Sequence, residues 1–257
     1  MIKICVSNEK GGCAKTTTAV NLSAILAEKE KRVLLVDADP QAYASYRLGL
    51  LADYKTKGLY EGMFEGVPLK EIIKPTEFGF DFVGSNRQLH KAKNLLVECR
   101  LNAKPYLTFF RDLMSQLSED SYDYLIVDAP PEQSYLLDNL RVYCDNLLIP
   151  VQPDIDIFQS LKNTQESVTE LRRNINPNIK ILGSLVVMSE KNEFRQICEK
   201  FAKDSKFFRF FDTSIPKNIA LVKCSAEHKP INKYDRRSRG YKGYKAVAEE
   251  IIMRTGA

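Results

Sequence analysis

Apolar positions in this chain gather into short unbroken runs, and the stretches between them carry apolar residues at helical spacing. Ile2 to Val6 (IKICV), Lys31 to Pro40 (KRVLLVDADP), Phe80 to Val83, Tyr122 to Pro131 (YDYLIVDAPP), Asn146 to Pro153 (NLLIPVQP), Ile179 to Met188 (IKILGSLVVM) and Phe210 to Pro216 (FFDTSIP) read as strands. Runs this short and rich in Val, Ile and Leu are what a sheet covered on both faces requires. Thr16 to Glu30 reads as a helix with Val20, Leu22, Ala24, Ile25, Leu26 and Ala27 apolar, and Tyr106 to Leu117 as another. Asp156 to Arg173, Phe194 to Lys203 and Gly243 to Arg254 complete the helical set, while residues 41–120 are otherwise hard to parse. Strands alternating with helices at these lengths predict an α/β fold: a doubly wound, mainly parallel sheet with helices on both faces, as one domain over 1–257.

Three of the predicted strands end in residues with chemistry. Lys10 to Thr18 (KGGCAKTTT) follows the first strand and opens the first helix, where a phosphate-binding loop belongs. Gly11 and Gly12 let the backbone approach an anion, and the N–H groups of the helix start add partial positive charge. Lys15 can reach β and γ phosphates, and the Thr16 hydroxyl can ligate Mg²⁺. The expected nucleotide contacts are Lys10, Gly11, Gly12, Cys13, Ala14, Lys15, Thr16 and Thr17.

The second predicted strand ends in Asp37 and Asp39, the edge at which parallel sheets bind ligands. Asp39 is read as orienting or activating the attacking water and Asp37 as supporting Mg²⁺ through its water shell; the alternative for either is capping the next helix. Asp128 closes YDYLIVD and is read as a Mg²⁺ carboxylate acting through water opposite Thr16, with a turn-initiating aspartate as the alternative.

Composition sharpens this picture in two ways. The six cysteines, at 5, 13, 99, 144, 198 and 224, form no CxxC pair, so they read as reduced thiols in a cytosolic protein. No leader precedes the first strand, and no apolar run reaches the ~18 residues that span a bilayer, so no membrane partner is expected. Charge is uneven: residues 201–257 hold 13 Lys and Arg against 6 Asp and Glu, whereas the first 200 hold 25 against 27. A basic C-terminal excess attracts a polyanion.

A loop with lysines five residues apart resembles the deviant Walker A motif, KGGxGKT[ST], of the ParA/MinD superfamily. With KRVLLVDADPQ, YDYLIVDAPP, NLLIPVQP and SIPKNIALVKCSAEHKPINKYDRRSRGYKGYKAVAEEI added, the chain looks like a ParA/Soj-type partition ATPase over most of its length. The resemblance implies a Mg²⁺-dependent ATPase, slow unless stimulated, with Lys10, Lys15 and Asp39 catalytic. It implies a homodimer with ATP sandwiched between subunits and Lys10 of each reaching the other's nucleotide. Pro216 and Asn218 would lie near the adenine. Lys191, Arg195, Lys203, Lys217, Lys223, Arg236, Arg237 and Lys242 would contact double-stranded DNA through its phosphates, without reading sequence. A ParB-like protein would stimulate turnover, driving plasmid or chromosome segregation on the nucleoid. No helix-turn-helix precedes the first strand, so no operator-specific repression is expected.

Two features depart from the pattern. Ala14 replaces the usual glycine before Lys15 and is tolerable if φ there is negative. Cys13, among lysines at a helix start, reads either as a reactive thiol of lowered pKa or as a small filler. His90 and His228 read as surface residues, and Tyr241 and Tyr244 as packing or DNA-backbone contacts. Rival readings are a MinD-like membrane-cycling ATPase, an iron–sulfur reductase, an amidoligase and an ATPase positioning another cargo. The first lacks an amphipathic lysine-rich tail, the second lacks its bridging cysteines, and the third leaves the basic excess unexplained.

Overall fold

The computed structural model describes residues 1–50, 56–154, 157–189 and 209–256. Along the chain run β1 (Ile2–Val6), α1 (Lys15–Glu28), β2 (Val33–Asp37), α2 (Tyr43–Arg47), α3 (Leu59–Phe64), α4 (Leu69–Ile72), β3 (Ile73–Pro75) and β4 (Asp81–Val83). A 3-10 turn, Arg87–His90, runs into α5 (Lys91–Leu101), followed by α6 (Phe109–Met114), β5 (Tyr124–Asp128), α7 (Tyr135–Tyr143), β6 (Asn146–Val151) and α8 (Ile157–Asn174). After β7 (Lys180–Ser189) come β8 (Ile215–Pro216), α9 (Ile219–Ala226), α10 (Ile231–Tyr234) and α11 (Arg239–Thr255).

The strands form one sheet in the order β3-β4-β2-β5-β1-β6-β7-β8. Every neighbouring pair is parallel except β3 with β4 at the edge. This is the doubly wound sheet that the apolar pattern predicts. Because strand side chains alternate in direction, each central strand feeds two cores. Ile4, Val6, Val33, Leu35 and Ile126 pack with α1 and with Tyr244, Val247 and Ile251 of α11. Cys5, Leu34, Val36, Leu125 and Val127 pack on the opposite face with residues of α3 and of α5 to α8.

The C-terminal segment is bound to the phosphate-loop helix by polar contacts inside the first core. Asn21 accepts from the Ile231 N–H at 2.7 Å, Asn232 donates to the Ala24 carbonyl at 3.1 Å, and the hydroxyls of Tyr244 and Thr18 meet at 3.1 Å. Tyr244 is fully buried and Tyr241 bonds Glu28 at 3.1 Å, so both tyrosines are packing residues.

Three elements differ from expectation. The helix expected over 106–117 is confined to α6, since the Tyr106 carbonyl is taken by the Asn139 amide at 2.6 Å. The strand expected over 210–216 shrinks to β8 and a single Phe210 bridge to Ser184. Its middle is diverted because the N–H groups of Asp212 and Thr213 bond the Glu250 carboxylate of α11 at 3.0 and 3.4 Å. The last helix begins earlier than expected, at Arg239, because Ser238 caps it by accepting from the Tyr241 N–H at 3.1 Å. The helix expected over Phe194 to Lys203 lies outside the described residues. Among those described, no helix is long and apolar enough to cross a membrane.

Candidate nucleotide site

The site sits where β1, β2 and β5 end side by side. Sheet register pairs Val6 with Asp128 and Asp37 with Asp128, so the two carboxylates stand in one row with the start of the phosphate loop. The loop runs from Ser7 to Ala14, and α1 begins at Lys15. A Cβ added to Gly11 or Gly12 would meet nothing within 4 Å, so the space above both is open. Gly12 also has φ +77°, the left-handed conformation that glycine adopts without strain.

Ala14 contradicts the expectation of a negative φ. It has φ 55° and ψ 30°, because the chain must reverse through the left-handed region to enter α1. The loop therefore demands a glycine-type conformation at the position where this sequence supplies a methyl group, at a cost of about 1–2 kcal/mol. Cys13 also resolves against the reactive alternative: it is buried, and burial raises its thiol pKa although Lys15 and Lys10 pull the other way.

Lys15 is buried and curls back so that Nζ donates to the Lys10 carbonyl at 3.1 Å. Burial lowers its pKa, opposed by Asp128, Cys13 and Asp39. Asp128 is fully buried, and neither of its oxygens receives a hydrogen bond among the described residues. Burial raises its pKa well above the usual range, the Asp37 charge adds to this, and the nearby Thr16 hydroxyl acts in the opposite sense.

Asp37 behaves differently from Asp128. Its Oδ2 accepts from the Ser45 N–H at 2.8 Å and the Ser45 hydroxyl at 2.7 Å, and its Oδ1 from the Asp39 N–H at 3.2 Å. Ser45 lies in the first turn of α2, so Asp37 anchors that helix to the end of β2, as its capping alternative requires. Burial still lifts its pKa to about 7. Asp39 is nearly buried, its Oδ1 accepts from the Gln41 N–H at 2.9 Å, and burial raises its pKa against the pull of Lys15 and exposed His90.

Lys10 forms an ion pair with Asp154, which follows β6, and its own N–H bonds Asn8 Oδ1 at 2.9 Å. Asn8 is fixed in turn by the Pro150 carbonyl at 2.8 Å and Ser160 of α8 at 3.2 Å. Gln152 supports the loop from beneath, donating to the Gly12 carbonyl at 2.9 Å.

Arg141 is a site residue that the sequence reading did not single out. It is fully buried on α7, bonding Ser7 at 3.0 Å, Ser167 at 3.2 Å and Gln133 at 3.4 Å, with Glu9 at 3.6 Å as its carboxylate. It links the loop entrance to the segment after Asp128 and to α8. A signal existed: in LLDNLRVY, Arg141 falls four residues after Leu137, on the apolar stripe of the helix.

Pro216 ends β8, and Asn218, two residues on, caps α9 by accepting from the Ala220 N–H at 2.8 Å. Lys217, Lys223, Arg236, Arg237 and Lys242 are exposed. Arg236 pairs with Glu28 at 2.5 Å, so part of its charge is already neutralised. Lys191, Arg195 and Lys203 lie outside the described residues. His228 is exposed, its Nδ1 2.7 Å from the Tyr46 carbonyl.

The residues suit a magnesium nucleotide. Among the described residues no three His, Cys, Asp or Glu side chains converge to hold a metal by themselves. Mg²⁺ needs no such cage, because it keeps several waters and takes one or two protein oxygens beside those of a phosphate. Asp128, whose oxygens have no hydrogen-bond partner among the described residues, and the adjacent Thr16 hydroxyl offer that donor set.

Residues 1–181 match the family model described as AAA domain. The chromosome partitioning protein ParA of Myxococcus xanthus is 34% identical over 98% of this chain and 88% of its own length. The sporulation initiation inhibitor protein Soj of Bacillus subtilis is also 34% identical, over 96% of this chain and 97% of its own. In fold, the chain superposes with TM-score 0.85 on Mycobacterium smegmatis cobyrinic acid a,c-diamide synthase with bound ADP and magnesium, at 22% identity, covering 100% of this chain and 96% of that one. With a phosphate loop after β1, buried carboxylates closing β2 and β5, and relatives matched along nearly its whole length, the chain belongs to the ParA/Soj family of partitioning ATPases.

Proposed function

We propose that the chain hydrolyses ATP with Mg²⁺, closes into a dimer around the triphosphate, binds double-stranded DNA without sequence preference in that state, and is released by a ParB-like stimulator. The observation that carries this reading is the fully buried Asp128, whose two oxygens accept no hydrogen bond among the described residues, in register with Asp37 and beside Thr16 and Lys15. A buried charge so poorly compensated is costly, and a cation in front of it is the natural remedy.

The geometry supports the following roles. Lys15 and the N–H groups of Gly11 to Thr17 hold the phosphates, with Gly11 and Gly12 giving the close approach. Thr16 and Asp128 would hold Mg²⁺, which supplies charge neutralisation at the β and γ oxygens. Asp39, just beyond the end of β2, is the candidate for orienting the water, and Asp37 fixes its position through the Asp39 N–H. Lys10 has one more task. Its ammonium is occupied by Asp154 of its own chain, so crossing to a partner's nucleotide requires exchanging that carboxylate for phosphate oxygens. Closure then depends on the phosphate charge, which makes it conditional on nucleotide. Pro216 and Asn218 are assigned to the base by the family resemblance. Lys217, Lys223, Arg237 and Lys242, with Lys191, Arg195 and Lys203, supply phosphate contacts to DNA.

The membrane-cycling alternative is disfavoured by α11, whose Tyr244, Val247, Ala248 and Ile251 are already buried against the rest of the domain. Light scattering with a non-hydrolysable ATP analogue tests the reading: a dimer is expected with the analogue and none with ADP. Lys10→Gln should still bind nucleotide and stay monomeric. A dimer of normal stability in that variant would refute the crossing role.

A further inference from the structure

We infer that Arg47 is an additional phosphate-binding residue of this site, contacting the nucleotide at the phosphate nearest the ribose. This rests on the nucleotide reading above and assigns a residue that the phosphate-loop motif does not contain.

Arg47 closes α2, and α2 is pinned to the end of β2 by the two bonds from Ser45 to Asp37. The guanidinium is half-buried, and its Nη1 donates to the Thr17 hydroxyl in the first turn of α1 and to the Ser225 hydroxyl of α9 at 3.3 Å. Both partners are neutral. Among the described residues no carboxylate pairs with Arg47. Three other cations removed from water have a carboxylate: Arg141 has Glu9, Arg254 has Glu250 at 2.6 Å, and Lys10 has Asp154. Arg47 instead resembles the phosphate-loop Lys15, which is buried and, among the described residues, bonds only the Lys10 carbonyl. A guanidinium taken partly out of water and given only hydroxyls keeps an uncompensated charge, and its fork of donors matches a phosphate.

Its location selects which phosphate. Thr17 lies two residues beyond Lys15, and Ser225 lies on the helix that follows Pro216 and Asn218, the proposed base contacts. Arg47 therefore bridges the phosphate end of the site and the base end. A cation there meets the part of the nucleotide that ATP and ADP share. Its contribution is to binding rather than to the hydrolytic step, so losing it should weaken both nucleotides alike.

The test is titration of Arg47→Ala, Arg47→Lys and Ser225→Ala with fluorescent ADP and with a fluorescent non-hydrolysable ATP analogue, each with Mg²⁺. A charged hydrogen bond of ordinary strength corresponds to about 10- to 100-fold in Kd. Arg47→Ala should show that loss for both nucleotides, Arg47→Lys should recover part of it, and Ser225→Ala should leave both affinities unchanged. A loss confined to the triphosphate would overturn the assignment to the ribose-proximal phosphate. Unchanged affinities in Arg47→Ala, with only a lower unfolding temperature, would reduce Arg47 to a strut between α1 and α9 and overturn the inference. Wild-type protein that binds neither nucleotide would instead overturn the nucleotide reading itself, which separates the two failures.

Discussion

The strand ends around the phosphate loop and the basic C-terminal segment both concentrate charge, in opposite physical settings. Lys15, Asp37, Asp39, Asp128 and Arg141 are all buried or nearly so, few in number and individually placed. Lys223, Arg237 and Lys242 lie exposed on the surface of a segment bound to α1 by Tyr244, Ile231 and Asn232. Burial makes each charge in the first region energetically expensive and hard to replace. Exposure makes each charge in the second cheap, interchangeable and additive. One region is therefore suited to chemistry at fixed atoms and the other to holding a polyanion.

The contrast has its largest functional consequence at Asp128. Asp128→Asn removes a carboxyl group whose charged form is penalised by burial and by Asp37, and whose oxygens have no hydrogen-bond partner among the described residues, so the nucleotide-free protein should gain about 1–3 kcal/mol in denaturant unfolding. The same change should abolish Mg²⁺-dependent ATP hydrolysis. A variant less stable than its parent would mean that the Asp128 charge is compensated in the free protein. Arg141 should behave in the opposite sense, since it has partners to lose. Arg141→Met leaves Glu9 without its cation and is expected to cost about 3–5 kcal/mol, with Glu9→Gln added to it recovering part. An additive double variant would sever the proposed coupling between α7 and the loop entrance.

The basic segment should show smaller, uniform responses. Lys223→Gln, Arg237→Gln and Lys242→Gln should each leave stability within about 0.5 kcal/mol. For each DNA phosphate that a variant no longer neutralises, the salt dependence of binding should flatten by about 0.9 in log–log slope. A single variant that eliminates DNA binding while the others do nothing would break the additive picture.

How much of this was legible follows the same division. The central strands and their terminal carboxylates were plain, because unbroken apolar runs closed by Asp leave few other structures. α7 and the helices α3 to α5 were not. The apolar residues of α3 to α5 complete a core assembled from distant segments, so no local period announces those helices, whereas α7 carries an apolar stripe interrupted by Arg141. The φ of Ala14 was beyond reach because sequence names the residue and the neighbours set its conformation. Asp37 and Asp128 look alike in sequence, DADP against DAPP, and differ because Ser45 and the Asp39 N–H satisfy the first. Ala14→Gly should relieve the left-handed strain, offset by the greater freedom of the unfolded glycine, for a net gain of about 0.5–1 kcal/mol. Loss of stability would mean that the methyl group packs productively against the first core.

The smallest effect lies at the opposite ends of the central strands from the phosphate loop. Arg32 and Asp123 join the starts of β2 and β5: the guanidinium meets Asp123 at 2.8 Å, and the Arg32 N–H donates to the same carboxylate at 2.8 Å. These hydrogen bonds hold the Asp123 pKa down at about 2, below its ordinary 3.8. An acid depressed in the folded state contributes stability above its unfolded pKa and loses it as pH falls through the folded value, so this contribution should vanish between about pH 4 and pH 2. The pair faces solvent, so the contribution is small and salt should weaken it further. Arg32→Gln keeps the backbone bond and removes the guanidinium. Its unfolding free energy should therefore decline less steeply than the parent's from pH 4 to pH 2, with the two converging at the acid end. Curves that remain parallel across that interval would show that the guanidinium does not set the Asp123 pKa, and that the backbone N–H alone accounts for it.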